Sequence, residues 1–317
     1  MSGIWLTDLE IQALPVTGGP FLKAKAAADA LVPTNAKLSD QDSKHDVATL
    51  ACALVAVRLG NAELRAKAIA SVKAAMGTEA GSRALALGRN LTSYAIAADI
   101  LRLQSDPAVK AWFGNIRTFA TTGGPASVIK CHEQRPNNWG THAGCARVAI
   151  DLFLGDAVDL DKAISVWKGW LGDRASYAGF SYGDKSWQAN PAQPVGINPK
   201  GATIQGHPVD GVLPDDQRRA GGFTWPPPKE NYVHEALQGA VVASALLAKA
   251  GKPIHLLSDA ALKRAYRWLY DVCQFPASGD DTCYPWLVNR LYAATVPAIG
   301  ANVGKNMGWT DWTHRPL

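Results

Sequence analysis

The chain has 317 residues, of which 47% are hydrophobic, so it is long enough to bury a large core in one or two domains. Its 32 basic and 27 acidic residues give a net charge of +5. This charge is too diffuse for a nucleic-acid-binding arm, and it is compatible with an anionic ligand or with an ordinary surface. No region has the polar, aromatic-poor composition of disorder.

The N-terminal sequence MSGIWLTDLE contains neither a basic nor an apolar region of the kind found in signal peptides. The longest apolar run, residues 47–57, is interrupted by Thr49 and is too short to span a bilayer. We therefore expect a soluble protein without a membrane partner.

The cysteines and histidines do not have the spacing of a metal site. The five cysteines form no CxxC pair, and the seven histidines form no HxH or HExxH motif. We therefore expect no metal. Cys273 and Cys283 flank a loop, and a disulfide between them is left open.

Apolar residues at helical spacing predict helices in almost the whole chain. The predicted helices are Phe21–Val32, Lys44–Leu59, Ala62–Met76, Ser82–Leu103, Ala108–Ala120, Trp139–Leu154, Asp159–Leu171, Tyr232–Ala250, Ser258–Phe275 and Tyr284–Ala294. Alternating strand patterns are scarce, so the sequence predicts an all-α fold.

A weak internal repeat begins at Leu50, at Ala146 and at Val241. Each copy is an apolar helix that ends at a glycine, followed by a short polar turn and a second amphipathic helix. Helix hairpins of this kind either stack into a solenoid or close into an α/α toroid. We predict an incomplete toroid in a single domain, residues 1–317.

The exception to the helical pattern is the segment 172–231, which is rich in glycine, proline, tryptophan and tyrosine. A loop of this length in a compact domain usually has a function. We expect it to pack across the open end of the toroid, because its aromatic residues would be costly to leave in water.

Three polar clusters are candidate sites. The first is HEQRPNNWGTHAG, which begins at His132, and here Asn138 and His142 share one face of the predicted helix. A capping role for Asn137 and a core position for His142 are the simplest structural explanations. The second, DGVLPDDQRRAGG, is a loop with paired Asp and Arg residues, and such a run is often a solvated surface. The third, TWPPPKENYVHEAL, places Tyr232 at the start of a helix, where a tyrosine is usually half-buried packing.

These clusters resemble, in the same order, motifs of the alginate-lyase-like polysaccharide lyases, which have an α/α toroid fold. The resemblance covers roughly residues 137–250. The corresponding positions are Asn137-Asn138-Trp139-Gly140, then Asp210-Gly211, Pro214, Asp216 and Arg219, then Tyr232 and Ala236-Leu237.

The resemblance implies β-elimination on a uronate polysaccharide, without a cofactor. The C5 proton of a uronate is weakly acidic while its carboxylate is ionised, so amide and guanidinium donors must neutralise that carboxylate. Asn138 and Arg219 would do so, and Tyr232 would protonate the leaving oxygen or act as both acid and base. The histidine base of the family falls on Trp139, so His142 is the replacement candidate and His234 is the next.

Further residues around these motifs are candidates for binding the anionic polymer. The cations Arg135, Arg218 and Lys229 would pair with neighbouring uronates, and the aromatic side chains Tyr182, Trp187, Trp225 and Trp139 would contact sugar rings. The C-terminal KNMGWTDWTHRPL is rich in tryptophan and histidine and is expected to fold back as a wall of the cleft. It is given no catalytic role.

Two other function classes are compatible with the sequence. An α/α-barrel glycoside hydrolase would need two carboxylates beside the cleft, and Glu133, Asp184, Asp210, Asp216 and Glu230 are candidates without a distinguishing context. A non-catalytic carbohydrate-binding domain would retain the aromatic residues but would not need Tyr232. The sequence leaves open the uronate, endo or exo action, the oligomeric state and the location. A polysaccharide substrate suggests an extracellular, periplasmic or phage-borne protein, or a domain of a longer exported protein.

Overall fold

The computed structural model describes residues 3–315, and 58% of the chain is helical while 1% is in strands. The prediction of a mainly α-helical protein is therefore confirmed. The 14 α-helices of these residues are α1 (Asp8–Ala13), α2 (Gly19–Ala30), α3 (His45–Leu59), α4 (Ala62–Ala75), α5 (Ala84–Ile100), α6 (Pro107–Ile116), α7 (Val128–Gln134), α8 (Asn138–Leu154), α9 (Ala157–Trp170), α10 (Pro214–Gln217), α11 (Asn231–Lys249), α12 (Leu257–Arg267), α13 (Pro285–Tyr292) and α14 (Thr310–Thr313).

All ten predicted helices overlap with a helix of the structure. The prediction for 258–275 is wrong in one respect, because α12 ends at Arg267 and a wider π-type turn, Trp268–Val272, follows it. The helices that the sequence did not predict, α1, α7, α10 and α14, have only four to seven residues. An element of this length shows too few helical turns for a periodic pattern.

The predicted helix–glycine–turn–helix repeat is present in two hairpins. α3 ends at Gly60 (φ 63°) and α8 ends at Gly155 (φ 69°), and this left-handed conformation favours glycine. The following helices begin with side-chain caps from Asn61 and Asp156. In the third copy Gly251 (φ 75°) follows α11, but the next helix, α12, begins six residues later.

The C-terminal ends of three long helices, α3, α5 and α11, all contact the segment 3–14. These contacts indicate that the three helices run in the same direction. The contacts are Gln12 Nε2 to the Val57 carbonyl (2.9 Å), Ile4 N to Asp99 Oδ2 (3.0 Å) and Lys249 Nζ to Glu10 (2.5 Å). Hydrogen bonds from Lys249 and Thr7 lower the pKa of Glu10 to about 2, although burial opposes them. The N-terminal ends of the three helices consequently lie together on the opposite side of the molecule.

The helices are neighbours in the order α2, α3, α5, α8 and α11, with α4 against α3 and α9 against α8. The C-terminal segment 300–315 forms hydrogen bonds with three of them. Its hydrogen bonds join Trp309 Nε1 to the Val47 carbonyl (2.8 Å), Ser93 Oγ to the Asn306 carbonyl (2.9 Å) and Lys305 N to Gln238 Oε1 (2.8 Å). This segment therefore connects α11 with α3 and α5.

Helix α8 lies between α5 and α11 at very short range. A Cβ atom at Gly88 of α5 would lie 2.7 Å from the Ala143 nitrogen, and one at Gly239 of α11 would lie 2.6 Å from the Thr141 carbonyl carbon. Only glycine allows the backbones to approach this closely. Thr141 and Ala143 lie in the first two turns of α8, so these contacts help to fix the position of its N-terminal part.

The segment 172–231 contains little regular structure. It holds a two-stranded antiparallel ladder, Thr203–Ile204 with His207–Pro208, and the short helix α10. Trp187, Val209 and Leu213 belong to the same hydrophobic core as the helices. The segment therefore packs against the helices, as expected from its aromatic content.

The five cysteines are all buried and free, so Cys273 and Cys283 are not joined in this structure. Burial raises the pKa of the Cys273 thiol to about 12, which leaves it protonated at neutral pH.

Candidate functional site

The first turn of α8 is held by the short helix α10. Asn137 caps α8, since its Oδ1 accepts a hydrogen bond from the Trp139 nitrogen (3.2 Å), while its Nδ2 donates to Asp215 Oδ2 (2.9 Å). The next residue, Asn138, donates its backbone N–H to Asp216 Oδ1 (3.0 Å). The hydrogen bonds of these two asparagines and two aspartates thus join the segment 172–231 to the start of α8.

The side chain of Asn138 is fully buried and points towards α11. Its Nδ2 donates to Glu235 Oε2 (3.1 Å), and its buried Oδ1 has no partner among the residues that the structure describes. Glu235 Oε2 also accepts from Arg89 of α5. An amide and a guanidinium therefore converge on one carboxylate oxygen at the junction of α5, α8 and α11.

Arg89 begins a chain of alternating charges that runs outwards from this junction. The Arg89 side chain is only 5% exposed, and besides Glu235 it pairs with Asp42 (3.5 Å). Lys305 in turn pairs with Asp42 (3.1 Å) and with Asp280 (3.5 Å). The hydrogen bond from Lys305 lowers the pKa of Asp42.

The sequence reasoning missed Arg89 and Glu235. One signal was available, because Arg89 is the only charged residue from Ala84 to Ala98 of an otherwise apolar helix. A charge in such a helix is seldom buried without a partner. The identity of that partner, 146 positions away in the chain, cannot be read from periodicity.

A carboxyl group lies beside this junction in a strongly desolvated position. Asp216 is fully buried, and burial raises its pKa well above the usual range, although the hydrogen bond from Asn138 and the charge of Arg219 oppose this effect. The neighbouring carboxylates of Asp215 and Glu235 raise the pKa further. Desolvation therefore favours the protonated form of the Asp216 carboxyl group.

Tyr232 and Arg219 form an exposed pair at the start of α11. Tyr232 is 37% exposed in the first turn of α11, and the Arg219 guanidinium carbon lies 4.1 Å from the centre of its ring. This is a cation–π contact, which leaves the guanidinium N–H groups and the phenol hydroxyl available to a ligand. The two residues predicted from separate clusters are thus in contact.

A second aromatic–cation arrangement lies at the start of α8. The Arg83 guanidinium is 4.5 Å from the Trp139 ring centre, and that of Arg135 is 6.0 Å away. Trp139 is half-buried against the core, and Arg83 is exposed. The structure brings Arg135 and Trp139 together as candidates, and it adds Arg83.

The two histidine candidates lie inside the protein. His142 is fully buried, its ring nitrogens have no hydrogen-bond partner in the described part of the chain, and burial lowers its pKa well below the usual value. His234 is also buried, between the Tyr284 hydroxyl (2.8 Å) and the Phe275 carbonyl (3.0 Å), and burial lowers its pKa to about 4. Neither imidazole is accessible to a polymer in this structure.

Two of the predicted binding residues have structural partners instead. The Trp187 ring is fully buried between Phe223 and Trp268, so it offers no face to a sugar. Arg218 pairs with the buried Asp215 (2.8 Å), which raises the pKa of the guanidinium further.

The remaining predicted residues lie nearer the surface. Trp225 stacks on His207, with 4.6 Å between ring centres. Tyr182 contacts Phe180, and burial raises the pKa of its hydroxyl. Lys229 is exposed.

No protein-family model matches the chain, and no curated protein shows significant similarity to it. Within residues 3–315, no group of three or more His, Cys, Asp and Glu side chains has the arrangement of a metal site. No single described helix is long and apolar enough to cross a membrane. One pair, Asn231–Lys249 with Ile254–Val272, meets the criterion together but is bent by 119°.

Proposed function

We propose that this protein is a polysaccharide lyase that cleaves a 4-O-linked polyuronate by β-elimination, on helices arranged as an incomplete α/α toroid. The observation that carries the proposal is the contact between Arg219 and the exposed Tyr232, three residues before Glu235, the residue to which the buried Asn138 donates. These residues supply a proton-transfer group and carboxylate donors at one place. The order of the helices and the return contact through the C-terminal segment support the toroid.

In the proposed reaction Tyr232 stands beside C5 and O4 of the uronate. A base removes the C5 proton, the C4=C5 double bond forms, the C4–O4 bond breaks and an acid protonates the departing oxygen. Arg219 stabilises the negative charge that develops on the carboxylate, and it is exposed to the ligand without rearrangement.

Asn138 and Arg89 are the deeper carboxylate donors of this proposal. In the structure they bind the carboxylate of Glu235, and this contact supports their assignment as donors to a carboxylate. A uronate carboxylate would take the place of Glu235, whose side chain would have to turn towards the solvent.

Tyr232 carries both proton transfers in this mechanism, because His142 and His234 are buried. A single hydroxyl can reach only one face of the sugar. If it is both base and acid, the proton and the leaving oxygen must be on that face, which restricts the reaction to syn elimination. The Arg219 guanidinium lies over the Tyr232 ring, 4.1 Å from its centre, and so stays close to both proton transfers.

A glycoside hydrolase is the second candidate, and the geometry around Asn138 favours it specifically. The backbone of Asn138 binds Asp216 while its side chain binds Glu235, so two carboxyl groups flank one residue. Asp216 has a raised pKa, as a general acid requires, and Glu235 is paired with Arg89. Asp216 is however fully buried, whereas Tyr232 is exposed.

Incubation with a panel of uronate polymers distinguishes these functions. A lyase gives products with the ultraviolet absorbance of an unsaturated uronate, in the presence or absence of EDTA. New reducing ends without this absorbance would establish a hydrolase, and loss of activity in Asp216→Asn but not Tyr232→Phe would locate it. Binding of a polymer without any new end would contradict both enzymes and identify a carbohydrate-binding domain.

A further inference from the structure

A cavity of about 360 Å³ lies between the irregular segment and the beginning of α12. Its apolar lining consists of Leu171, Val195, Ile197 and Pro199. Its polar lining consists of Arg174, Asn190, Gln193, Lys200, Ser258, Asp259 and Arg264. An apolar surface with a few polar groups, in a volume of this size, is typical of a small-molecule site.

The lining carries three cations and one carboxylate. Arg264 is neutralised by Asp210, with which it pairs, and its Nη1 also donates to the Asn198 carbonyl (3.0 Å). Lys200 is 3.9 Å from Asp259, a long contact between two exposed side chains that contributes little. With Arg264 neutralised, Arg174 and Lys200 stand against the single carboxylate of Asp259, so the lining has a surplus of one positive charge.

Several polar groups of the lining are not used by the protein. Arg174 Nη1 donates to the Pro194 carbonyl (2.6 Å). Its other guanidinium N–H groups have no hydrogen-bond acceptor among residues 3–315. The Gln193 amide and Asn190 Nδ2 also make no side-chain hydrogen bond with the described chain. Amides and a guanidinium are the donors and acceptors that bind sugar hydroxyls and carboxylates.

The backbone beside the cavity is strained. Ser258, Asp259 and Ala260 have φ values of 52°, 55° and 53°, a left-handed run that is unfavourable for residues other than glycine. Arg264 holds this run by donating Nη2 to the Ser258 carbonyl (3.1 Å) and Nε to the Asp259 carbonyl (3.2 Å). Strain of this kind is concentrated at ligand sites.

We propose that this cavity binds one carboxylated sugar residue. Arg174 and Lys200 bind the carboxylate, Asn190 and Gln193 bind hydroxyl groups, and Val195 and Pro199 contact the apolar face of the ring. The site is separate from the Tyr232 and Arg219 pair and goes beyond the elimination reaction, because it requires binding and no chemistry.

Isothermal titration with glucuronate, glucose and glucose 6-phosphate tests the site in the full-length protein. Glucuronate should bind at least tenfold more tightly than glucose. Arg174→Gln and Lys200→Gln should each weaken glucuronate binding by roughly tenfold, whereas Lys110→Gln, on the exposed surface of α6, should not. Lys200 is exposed, so its replacement leaves the fold intact even if Arg174→Gln is unstable.

The outcomes separate this site from the proposed enzyme. Binding that is weakened in Lys200→Gln and retained in Lys110→Gln belongs to the cavity, so a failed elimination assay leaves the cavity testable. Equal binding of glucose and glucuronate, or unchanged binding in Lys200→Gln, would overturn the proposal. Binding of glucose 6-phosphate but not glucuronate would show a phosphate site instead.

Discussion

At the scale of single residues, the phenol of Tyr232 is the most direct test of the proposed chemistry. Tyr232→Phe removes only a half-exposed hydroxyl, so the fold should be unaffected. Turnover should fall by roughly 10²–10⁴, the cost of losing a proton-transfer group, or by more if the residue is both acid and base. The measurement is the initial rate of ultraviolet absorbance on a cleaved polyuronate.

The matched control for this change is Tyr177→Phe. The Tyr177 hydroxyl donates to the Glu133 carbonyl (2.6 Å), so its loss affects a structural hydrogen bond and leaves Tyr232 in place. Turnover near the unchanged value in Tyr232→Phe would show that this residue does not transfer protons, whatever the fold is.

The adjacent residues Arg218 and Arg219 should have opposite effects when replaced by alanine. Arg219 is exposed and contacts Tyr232, so Arg219→Ala should lower turnover about a hundredfold and change stability by less than about 0.5 kcal/mol. Arg218→Ala removes the partner of the buried Asp215 and should cost about 1–3 kcal/mol of stability. Turnover and urea unfolding of both variants give the comparison. A catalytic defect confined to Arg218→Ala would place the essential arginine one position earlier.

The sequence could predict part of this site, and the reason differs between residues. Asn137, Asn138, Arg219 and Tyr232 are found from motifs that each lie within a few positions. Helical spacing correctly placed His142 one turn after Asn138. It could not show that His142 lies in a buried environment, because that depends on the neighbouring helices, which approach through Gly88 and Gly239.

At the scale of elements, the position of α8 depends on glycines in its two neighbours. Gly239→Ala would place a methyl group 2.6 Å from the Thr141 carbonyl carbon, so α11 and α8 would have to separate. We expect a loss of roughly 1–3 kcal/mol in the free energy of unfolding, the usual cost of overpacking, despite the higher helix propensity of alanine. Urea unfolding measures this change.

Gly114→Ala is the control within another helix. Gly114 lies in α6, and a Cβ atom there would meet no atom within 4 Å. This replacement should stabilise the protein by about 0.5–1 kcal/mol, since alanine loses less backbone entropy than glycine on folding. A stabilising effect at both glycines would contradict the close approach of α8 and α11.

The hairpins were more predictable than the contacts between them. Gly60 and Asn61 lie next to each other in sequence and act on the same turn, so capping preferences identify the α3–α4 hairpin directly. The segment 172–231 has no comparable pattern of neighbouring residues from which its structure could be predicted. Its position is fixed by single long-range bonds, such as that from Asn137 to Asp215, which no periodic pattern reports.

At the scale of the whole molecule, the loop 275–283 brings an ionisable group into the interior beside α11. Asp281 is 2% exposed and accepts a hydrogen bond from Gln238 Nε2 (2.7 Å). Burial raises its pKa to about 7, although this hydrogen bond opposes the shift, and the nearby Asp280 and Glu235 raise it further. This one carboxyl group therefore links the stability of the assembled helices to pH.

The folded protein binds the Asp281 proton more tightly than the unfolded chain, whose aspartates titrate near pH 4. Its stabilising contribution is thus complete below about pH 4 and is lost as the pH rises through about 7. Asp281→Asn keeps an oxygen for Gln238 and cannot ionise. Relative to the unchanged protein, its unfolding free energy should rise by about 1–4 kcal/mol between about pH 4 and pH 8.

Urea unfolding across this range measures the difference, with the exposed Asp161→Asn as a control that should show no such trend. Parallel curves for Asp281→Asn and the unchanged protein would mean that Asp281 ionises as it does in the unfolded chain, and hence that water reaches the junction between the C-terminal segment and α11.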